Sequence, residues 1–357
     1  MASSSSLLTF PPSTFAALSP SRYLAAHLSS PSHLRPNGRS PNQFRTPAIN
    51  AGSLTHAHGS AVVRLGNTAV VAGVRGEILR REDIPLPYDD LADARGPEDD
   101  SDEDETVEKL GLLVPNVELS TGCSPQHVPG NAPSSVAQSL VHRVREGLRV
   151  ARLVRPGDLR IWSVDGGKRG IGEGDEEEKP KVMAYWTLYI DILFIALDGG
   201  AFDAAWGAAL AALRDVKLSR AWWDREREMV VCSDRVEEAR ALSLRGLPVS
   251  AGMGIFVSGN KRVKGDVVRG FGTEGVEEET ENGKDEAWIL ADMDTFEEGR
   301  CGEEVTVLLD CSTRKSKILK IEKNGGLMVG LREIDEVVKL AETRWSEWSK
   351  ALDTAKR

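Results

Sequence analysis

The hydrophobic positions first follow a strand pattern from Thr46 onward. The run SAVVRL is followed by Gly66-Asn67 and then by TAVVAGVRGEI. Two valine-rich runs joined by a Gly-Asn pair are typical of an antiparallel β-hairpin, because these two residues accept the left-handed backbone of a tight turn. The sequence therefore predicts a hairpin at the start of the folded domain.

Helical spacing of the apolar residues replaces the strand pattern in later segments. A short helix, RYLAAHL, is predicted after a capping Ser19, and an alanine-rich helix is predicted after the turn at Gly199-Gly200. A helix is predicted at about 134–154. A C-terminal helix is also predicted, with its apolar residues along one side. The apolar positions of that last side are Leu331, Ile334, Val338, Trp345 and Leu352.

The most apolar segment of the chain is VMAYWTLYIDILFIAL, and its continuous character predicts a strand that is buried on both faces. An unpaired charge is costly there, so Asp191 is expected to have a hydrogen-bonded or interface partner. Further strands are predicted near 159–164, 253–258, 287–292, 303–310 and 315–323. This mixed order predicts an α+β fold of two βαβ-type halves with mixed sheets and packed helices.

Charge is distributed unevenly along the chain. The formal net charge is -10, but eight carboxylates lie within residues 98–108 alone. The overall acidity argues against a free-standing nucleic-acid binder, because phosphate neutralisation needs a basic surface. Acidic insertions are predicted near 80–108, 165–181 and 272–286, and Glu98 to Glu108 is expected to be mobile and dispensable for folding. The remainder is closer to neutral, so RNA binding within an assembly stays possible.

The cysteines, the hydrophobic runs and the N-terminus limit the classes of protein to which this chain can belong. Four scattered cysteines without CxxC spacing predict neither a metal site nor a disulfide framework, and no cofactor is expected. No run reaches the roughly 20 apolar residues of a membrane span, so a soluble protein without a membrane partner is expected. Residues 1–34 are rich in Ser, Pro and Ala and contain no acid, which also suits an organellar transit peptide.

Three motifs in order carry a family resemblance. They are Arg35-Pro-Asn-Gly-Arg39, then Phe44-Arg45-Thr46, then GSAVVRLGNT from Gly59 to Thr68. Together with the later segments ELSTGCSP, QSLVHRVREGL and DILFIALDGG, they resemble RNase PH domains over about residues 19 to 352. The implied division is an N-terminal extension at 1–32 and an RNase PH-like domain at 33–355, with halves at about 33–240 and 241–355.

The resemblance also implies where an active site should lie. Active RNase PH-type enzymes hold phosphate with an Arg before the central helix and with a Thr-Arg pair after the Asp-Gly-Gly turn, and a late strand supplies an Asp. Here these positions carry Pro133, Ala201 and Phe202, with Glu304 near the expected Asp. Without cations to bind phosphate, the carboxylate cannot assemble the site. No catalytic residue is therefore expected.

This degenerate pattern resembles the inactive ring subunits of the eukaryotic RNA exosome. The resemblance implies a ring of RNase PH-like subunits, RNA-binding cap subunits, a hydrolytic nuclease and RNA in the assembled channel, with work in the nucleus, nucleolus and cytoplasm. The expected function is a structural role in 3′–5′ RNA processing and decay. Two alternatives are an active phosphorolytic exoribonuclease of the same fold and a mitochondrial RNA-processing factor.

The sequence allows two interpretations of several polar residues. Arg35 and Arg39 either hold RNA or tie an N-terminal loop to an acidic neighbour, and the tie is favoured. Asp198 has an ordinary role as the polar opening of the Gly-Gly turn. A basic series on the central helix either faces RNA or forms a solvated helix face. Its candidate RNA-facing residues are Arg143, Arg145, Arg149 and Arg152.

Overall fold

The computed structural model describes residues 11–84, 103–125, 127–128, 130–163, 182–258, 287–313, 315–326 and 330–355. The expected insertions at 165–181 and 272–286 lie outside the described residues, and so do residues 85–102 of the expected insertion at 80–108. Most of both expected halves is thus described.

The helices of the described residues range from one turn to seven turns in length. They are α1 (Pro12–Leu18), α2 (Pro20–Leu28), α3 (Glu103–Lys109), α4 (Ser135–Ala151), α5 (Pro156–Leu159), α6 (Ala201–Asp215), α7 (Thr295–Glu298) and α8 (Leu331–Ala355).

The strands alternate with these helices in an α+β order. They are β1 (Pro47–Ala51), β2 (Gly59–Leu65), β3 (Thr68–Arg80), β4 (Leu113–Leu119), β5 (Arg160–Trp162), β6 (Val182–Ala196), β7 (Lys217–Leu218), β8 (Ala221–Asp224), β9 (Met229–Cys232), β10 (Arg240–Ala241), β11 (Val249–Val257), β12 (Ala287–Ala291), β13 (Glu303–Asp310) and β14 (Lys317–Gly325). The expected fold class is confirmed.

The chain forms two compact units. The smaller unit contains the described residues of Met1–Arg45, Ala251–Val307 and Ile321–Arg344. The larger unit contains those of Thr46–Ser250, Leu308–Lys320 and Trp345–Arg357. The sequence divides the halves near residue 240, whereas the compact units change at Ser250 and each take up three separate stretches.

The larger unit is built on a sheet with the strand order β1-β2-β3-β6-β4, and β5 also pairs with β6. The expected hairpin is confirmed, because β2 and β3 pair antiparallel with Leu65 opposite Thr68. Gly66 occupies the turn with a φ of 57°, a value that glycine adopts without strain. Strand β4 joins β6 in parallel, so the sheet is mixed, as expected.

Helix α6 packs closely on this sheet because its residues are small. Seven of its residues from Ala204 to Leu213 are alanine or glycine in the printed sequence, and nearly the whole helix is buried. A β-carbon at Gly59 on β2 would lie 2.6 Å from the carbonyl oxygen of Ala212. The small residues of the helix and the glycine of the strand therefore permit an approach that larger side chains would prevent.

The smaller unit has its own hydrophobic core, to which the N-terminal helix contributes. Leu24 and Leu28 of α2 are fully buried and pack in one cluster with Phe256, Leu290 and Met293. The last four strands pair in the order β12-β11-β13-β14. Helix α2 begins at Pro20, as the sequence indicates, but the Ser19 side chain makes no capping hydrogen bond. The expected serine cap is therefore wrong.

Two predicted apolar faces differ from the structure. Strand β6 is buried on both faces only in its first half, and Leu193 and Ile195 are 39% and 48% exposed. Helix α8 leaves Leu331 at 82% exposure and buries a neighbouring stripe of the helix. The residues of that stripe are Val337, Ala341, Arg344, Trp348 and Leu352. The difference arises because tertiary packing, not the apolar count alone, selects the buried stripe.

The end of the acidic segment is ordered, against expectation. Glu103–Lys109 forms α3, and Val107 packs against the core of the larger unit. Leu112, just beyond the helix, is fully buried. Deleting Glu98 to Glu108 would remove Val107 with the carboxylates, so this deletion is no longer expected to be neutral. Residues 98–102 lie outside the described residues.

Candidate functional site

The Asp-Gly-Gly turn at the end of β6 is fixed by the β2–β3 hairpin. Gly199 and Gly200 have φ angles of 68° and 65°, which favour glycine. The Thr68 hydroxyl donates to the carbonyl oxygen of Gly199 at 3.0 Å and accepts from the backbone N–H of Asp198 at 2.9 Å. The amide of Asn67 donates to the Asp198 carboxylate at 3.0 Å. Asp198 thus opens the turn, as predicted.

The residues that follow this turn are apolar. Ala201 begins α6, and Phe202 is only 5% exposed. The Phe202 ring stacks on the Trp206 indole with centroids 6.2 Å apart. On the same ring lies the Arg143 guanidinium, whose Cζ is 4.4 Å from the centroid. Phe202 is therefore a packing residue, and its side chain has no group that can hold phosphate.

Pro133 lies before the central helix, at the other position where the family resemblance implies a phosphate-binding arginine. It is exposed, and its carbonyl oxygen accepts a hydrogen bond from the Gln138 side chain at 3.0 Å. Helix α4 is capped by Ser134, whose hydroxyl accepts from the backbone N–H of Ala137 at 3.2 Å. A proline supplies neither a charge nor a backbone donor at this position.

Glu304 lies at the start of β13 in the smaller unit, whereas Pro133, Ala201 and Phe202 belong to the larger unit. Its carboxylate is half-buried and accepts from the Thr306 hydroxyl at 3.4 Å. The preceding Glu303 is buried, and its carboxylate forms an ion pair with the Lys323 ammonium group at 2.7 Å. Successive strand residues point to opposite faces, so the two carboxylates serve different surroundings.

The candidate RNA-facing arginines do not share one surface. Arg143 covers the Phe202 ring, while Arg145, Arg149 and Arg152 are exposed. These three line a groove of about 350 Å³, whose walls also include Leu148, Leu153 and Glu108. Arg149 donates to Glu146 at 2.9 Å, and this ion pair raises the pKa of Arg149 and lowers the pKa of Glu146. The groove is thus of mixed charge.

The motif arginines form a buried ion-pair cluster, the arginine tie, which consists of Arg35, Arg39, Arg45, Asp292 and Glu297. Arg35 pairs with Glu297 at 3.0 Å with both side chains fully buried. Arg45 holds both oxygens of Asp292, at 2.6 and 2.9 Å. The predicted tie of the N-terminal loop to an acidic neighbour is therefore found, and it occupies the arginines that could have held RNA.

The two carboxylates of the arginine tie have pKa values shifted in opposite directions. Burial opposes the charge on Asp292, but hydrogen bonds from Arg45 and the positive charges of Arg45 and Arg344 outweigh it and lower its pKa. Burial, with the nearby charge of Asp294, raises the pKa of Glu297 despite Arg35. Asp292 is thus the better stabilised anion.

Asp191 is less unusual than its apolar neighbours suggest. It is exposed, and its carboxylate accepts from the Asn116 amide of the neighbouring strand at 3.4 Å. The expected hydrogen-bonding partner exists, but the expected burial is wrong. Side chains in the second half of β6 point alternately to the core and to solvent, and Asp191 is on the solvent side.

A pocket that the sequence did not indicate lies elsewhere in the larger unit. This tryptophan pocket has a volume of about 270 Å³. Its chemistry-bearing lining residues are Trp162, Trp186, Trp222, Arg160, Arg220 and Arg240. They come from β5, β6, β8, β10 and the residue before β8, so no local motif unites them. The one available signal was the high tryptophan count of 8 in the chain.

Over the described ranges, no group of three or more His, Cys, Asp or Glu residues is placed to hold a metal ion. No described helix is long and apolar enough to cross a membrane.

Known proteins are similar to this chain in sequence. Residues 43–219 match domain 1 of the 3′ exoribonuclease family, RNase PH. Exosome complex component rrp43 of Schizosaccharomyces pombe is 33% identical over 236 residues, which cover 66% of this chain and 72% of that protein. Exosome complex component Rrp42 of Methanothermobacter thermautotrophicus is 30% identical over 188 residues, which cover 52% of this chain and 54% of that protein.

A solved structure agrees with the fold. A chain of the Archaeoglobus fulgidus exosome with RNA bound to the active site has a TM-score of 0.57 and 23% identity, with coverage of 90% of this chain and 92% of that one. This likeness supports the two-unit α+β fold. Because 72% of the fission yeast protein is matched at 33% identity, this chain belongs to the RNase PH family of 3′ exoribonucleases.

Proposed function

We propose that this chain is a non-catalytic ring subunit of the RNA exosome, which helps to form a channel for RNA during 3′–5′ processing and decay. One observation carries the proposal: Phe202 stands where the family resemblance implies a phosphate-binding arginine, and its ring packs against Trp206 and Arg143. An apolar ring at 5% exposure cannot bind inorganic phosphate. The similarity to rrp43 and Rrp42 supports the exosome assignment.

The residues at the expected phosphate-binding positions support the non-catalytic part of the proposal. Phosphorolysis brings a phosphate oxygen to an RNA phosphodiester, and both groups are negative, so fixed cations must hold them together. Arg143 is near the degenerate position, but its guanidinium faces the Phe202 ring at 4.4 Å. Glu304 would add negative charge without the cations that a phosphate site requires.

The surface of the larger unit supports a partnered subunit. Leu193 and Ile195 of β6 are 39% and 48% exposed on the sheet, and β4 stands at one end of the strand order. Exposed apolar side chains and open strand edges promote association. The proposed partners are other RNase PH-like ring subunits, RNA-binding caps, a hydrolytic nuclease and RNA. The proposed locations are the nucleus, the nucleolus and the cytoplasm.

An activity assay tests the catalytic part of the proposal. The purified full chain is incubated with single-stranded RNA and inorganic phosphate, and release of nucleoside diphosphates is measured. No release is expected, whereas a phosphorolytic RNase PH-type enzyme provides the positive control. Phosphate-dependent shortening that Glu304→Ala abolishes would identify an active exoribonuclease and overturn the proposal.

Co-expression tests the assembly part. The isolated subunit is expected to aggregate or self-associate, and co-expression with an RNase PH-like neighbour should give a soluble one-to-one complex. Affinity purification from cells should recover ring and cap proteins. A chain that stays monomeric and co-purifies with no RNase PH-like protein would exclude the ring assignment. Recovery in the mitochondrial fraction would favour the processing-factor alternative, although cleavage after α2 would remove the buried Leu24 and Leu28.

A further inference from the structure

The tryptophan pocket combines flat apolar walls with positive charge. Trp162, Trp186 and Trp222 face a cavity of about 270 Å³ together with Arg160, Arg220 and Arg240. Indole rings stack on planar ligands, and guanidinium groups bind phosphate oxygens through several donors at once. This pairing of residue types suits a ligand that has both an aromatic plane and an anionic group.

The Trp186 wall of the pocket is held by close packing. Trp186 is 6% exposed, and its ring meets the His58 imidazole edge-on at 5.9 Å. Opposite it, a β-carbon at Gly76 would lie 3.1 Å from the Trp186 ring. His58 in turn accepts a hydrogen bond from the backbone N–H of Gly76 at 3.0 Å. The indole is therefore packed on several sides before any ligand arrives.

The outer walls are half-buried and are connected to each other. Trp162 lies on β5 and Trp222 on the β8–β9 hairpin, and both have intermediate exposure. A bridge between Ser163 and Trp223 joins the hairpin to the end of β5. Because successive strand residues alternate, Trp222 faces the pocket, whereas Trp223 is not among its lining residues.

The charges at the pocket favour an anion. Asp158 is an acidic lining residue, and its carboxylate accepts from the backbone N–H of Ser243 at 2.6 Å. Arg240 is exposed at the edge of the pocket, and Arg220 reaches Glu238 only at 3.8 Å. Three arginines against the two carboxylates of Asp158 and Glu238 leave a net positive charge among these described residues.

The arginines stand beside the indoles and do not cover them closely. The Cζ of Arg160 is 6.0 Å from the Trp162 ring centroid, and that of Arg220 is 5.9 Å from the Trp222 centroid. In the same unit, Arg143 lies at 4.4 Å from Phe202. The longer distances are near the limit of about 6 Å for a cation–π contact. A planar ligand can therefore approach the indoles with a small side-chain movement.

We propose that the tryptophan pocket binds one nucleotide of single-stranded RNA. The base stacks on Trp222 and Trp162, and Arg220 and Arg240 hold the adjoining phosphates. The choice of RNA as the ligand rests on the proposed function, whereas the stacking and anion chemistry rests on the pocket itself. Binding is expected to tolerate any base, because every base offers an aromatic face.

The size of the pocket separates single strands from duplexes. A volume of about 270 Å³ lies just below the usual range of drug-sized ligand pockets, about 300–1,000 Å³, and suits one base with its sugar. In a duplex the bases are stacked inside the helix and cannot reach the indoles without being flipped out. The pocket should therefore prefer unpaired RNA, which is also the form that a 3′–5′ exonuclease complex processes.

Fluorescence anisotropy tests this proposal on the full chain, co-purified with its ring neighbour if it requires one for solubility. The probe is a labelled hexa-uridylate RNA, with a hexamer duplex RNA for comparison. Trp222→Ala is expected to weaken binding of the single strand about tenfold, the effect of losing one stacked base. Trp223→Ala, on the other face of the same strand, should change the affinity less than about twofold.

Charge variants and cross-linking give a second readout. Arg240→Glu should weaken binding and reduce its salt dependence, whereas Arg227→Glu on the nearby exposed turn should not. Photo-cross-links from 4-thiouridine RNA should map to peptides that contain Trp162 or Trp222. Equal affinity of Trp222→Ala and the unaltered protein, equal binding of the duplex, or cross-links confined to other peptides would each overturn the proposal. Co-purification with ring subunits is measured separately, so failure of the pocket leaves the exosome assignment to its own test.

Discussion

Arginine side chains are buried in one region of this protein and exposed in another. In the arginine tie, the Arg35 side chain is fully buried and the Arg45 side chain is 9% exposed, and both contact buried carboxylates. On α4, the Arg149 side chain is 45% exposed and pairs with Glu146 one turn away. Both regions are rich in arginine in the sequence, yet of these two only the first buries arginine–carboxylate ion pairs.

The position of the partner explains the difference. Glu297 lies 262 residues from Arg35 along the chain, so only the fold brings them together. Glu146 lies within one helical turn of Arg149 and pairs with it in solvent. A buried pair is strongly destabilised when one partner is removed, because the other charge stays desolvated. A surface pair has water as an alternative partner.

The largest effect is expected from Arg45→Ala. The substitution leaves the Asp292 carboxylate, whose side chain is fully buried, without its two-pronged partner. A loss of about 3–5 kcal/mol in the free energy of unfolding is expected, as for other broken buried pairs. Urea denaturation of the soluble complex measures it.

The double variant Arg45→Ala/Asp292→Asn provides the control. It should be less destabilised than the sum of the single variants, because removing both charges relieves the unpaired carboxylate. Asn suits this position, since Asp292 has a φ of 51° and Asn accepts the left-handed region. Strict additivity would mean that the pair contributes little to the stability of the smaller unit.

A smaller loss of stability is expected when Phe202→Arg introduces the cation that the family resemblance implies at this position. The new guanidinium would replace a buried ring that contacts Trp206 and the guanidinium of Arg143. Lost packing and like-charge repulsion should reduce stability by about 3 kcal/mol, with no gain of phosphorolysis. Phe202→Leu should cost clearly less. Full stability of Phe202→Arg, measured by thermal unfolding, would show that this position has not become part of the core.

The features that local patterns predict well are those with local causes. The β2–β3 hairpin follows from Gly66-Asn67 between valine-rich runs, and α4 follows from its cap at Ser134 and its apolar spacing. The Asp198 turn role likewise follows from the two glycines after it. Turn geometry and helical periodicity act over a few residues, so a single sequence contains the information.

The features that were missed depend on distant parts of the chain. The buried side of α8 is set by what packs on it, so Trp348 is buried while Leu331 is exposed. The ordered α3 depends on a core that accepts Val107. The tryptophan pocket unites Trp162, Trp186 and Trp222 only after the sheet and the hairpin have formed.

The pH dependence of stability at the arginine tie should show two opposite trends, one for each carboxylate. The lowered pKa of Asp292 gives stability that is present above its unfolded value of about 3.9 and is lost as the pH falls through the folded value. The destabilisation by Asp292→Asn should therefore shrink between pH 6 and pH 3. The raised pKa of Glu297 has the opposite effect on stability. Its charged form is penalised in the fold, so stability increases as the pH falls through the folded pKa.

The Glu297→Gln variant completes this test. As the pH falls through the raised pKa of Glu297, the unaltered protein loses that penalty, so the deficit of the variant should grow towards acid. Urea midpoints at several pH values compare the two variants with the unaltered complex. Parallel pH profiles for Asp292→Asn and Glu297→Gln would contradict the opposite shifts.

The smallest effect is expected on α4, from the double variant Arg145→Ala/Arg149→Ala. Both side chains are exposed, and an exposed pair such as Arg149–Glu146 contributes little because water screens it. The urea midpoint should stay unchanged. RNA affinity of the complex should fall less than about twofold at physiological salt, because Glu108 and Glu146 line the same groove and offset its positive charge. A several-fold loss of RNA affinity with an unchanged midpoint would instead assign this helix face to RNA, and the contrast would then be between arginines that hold the fold and arginines that hold the substrate.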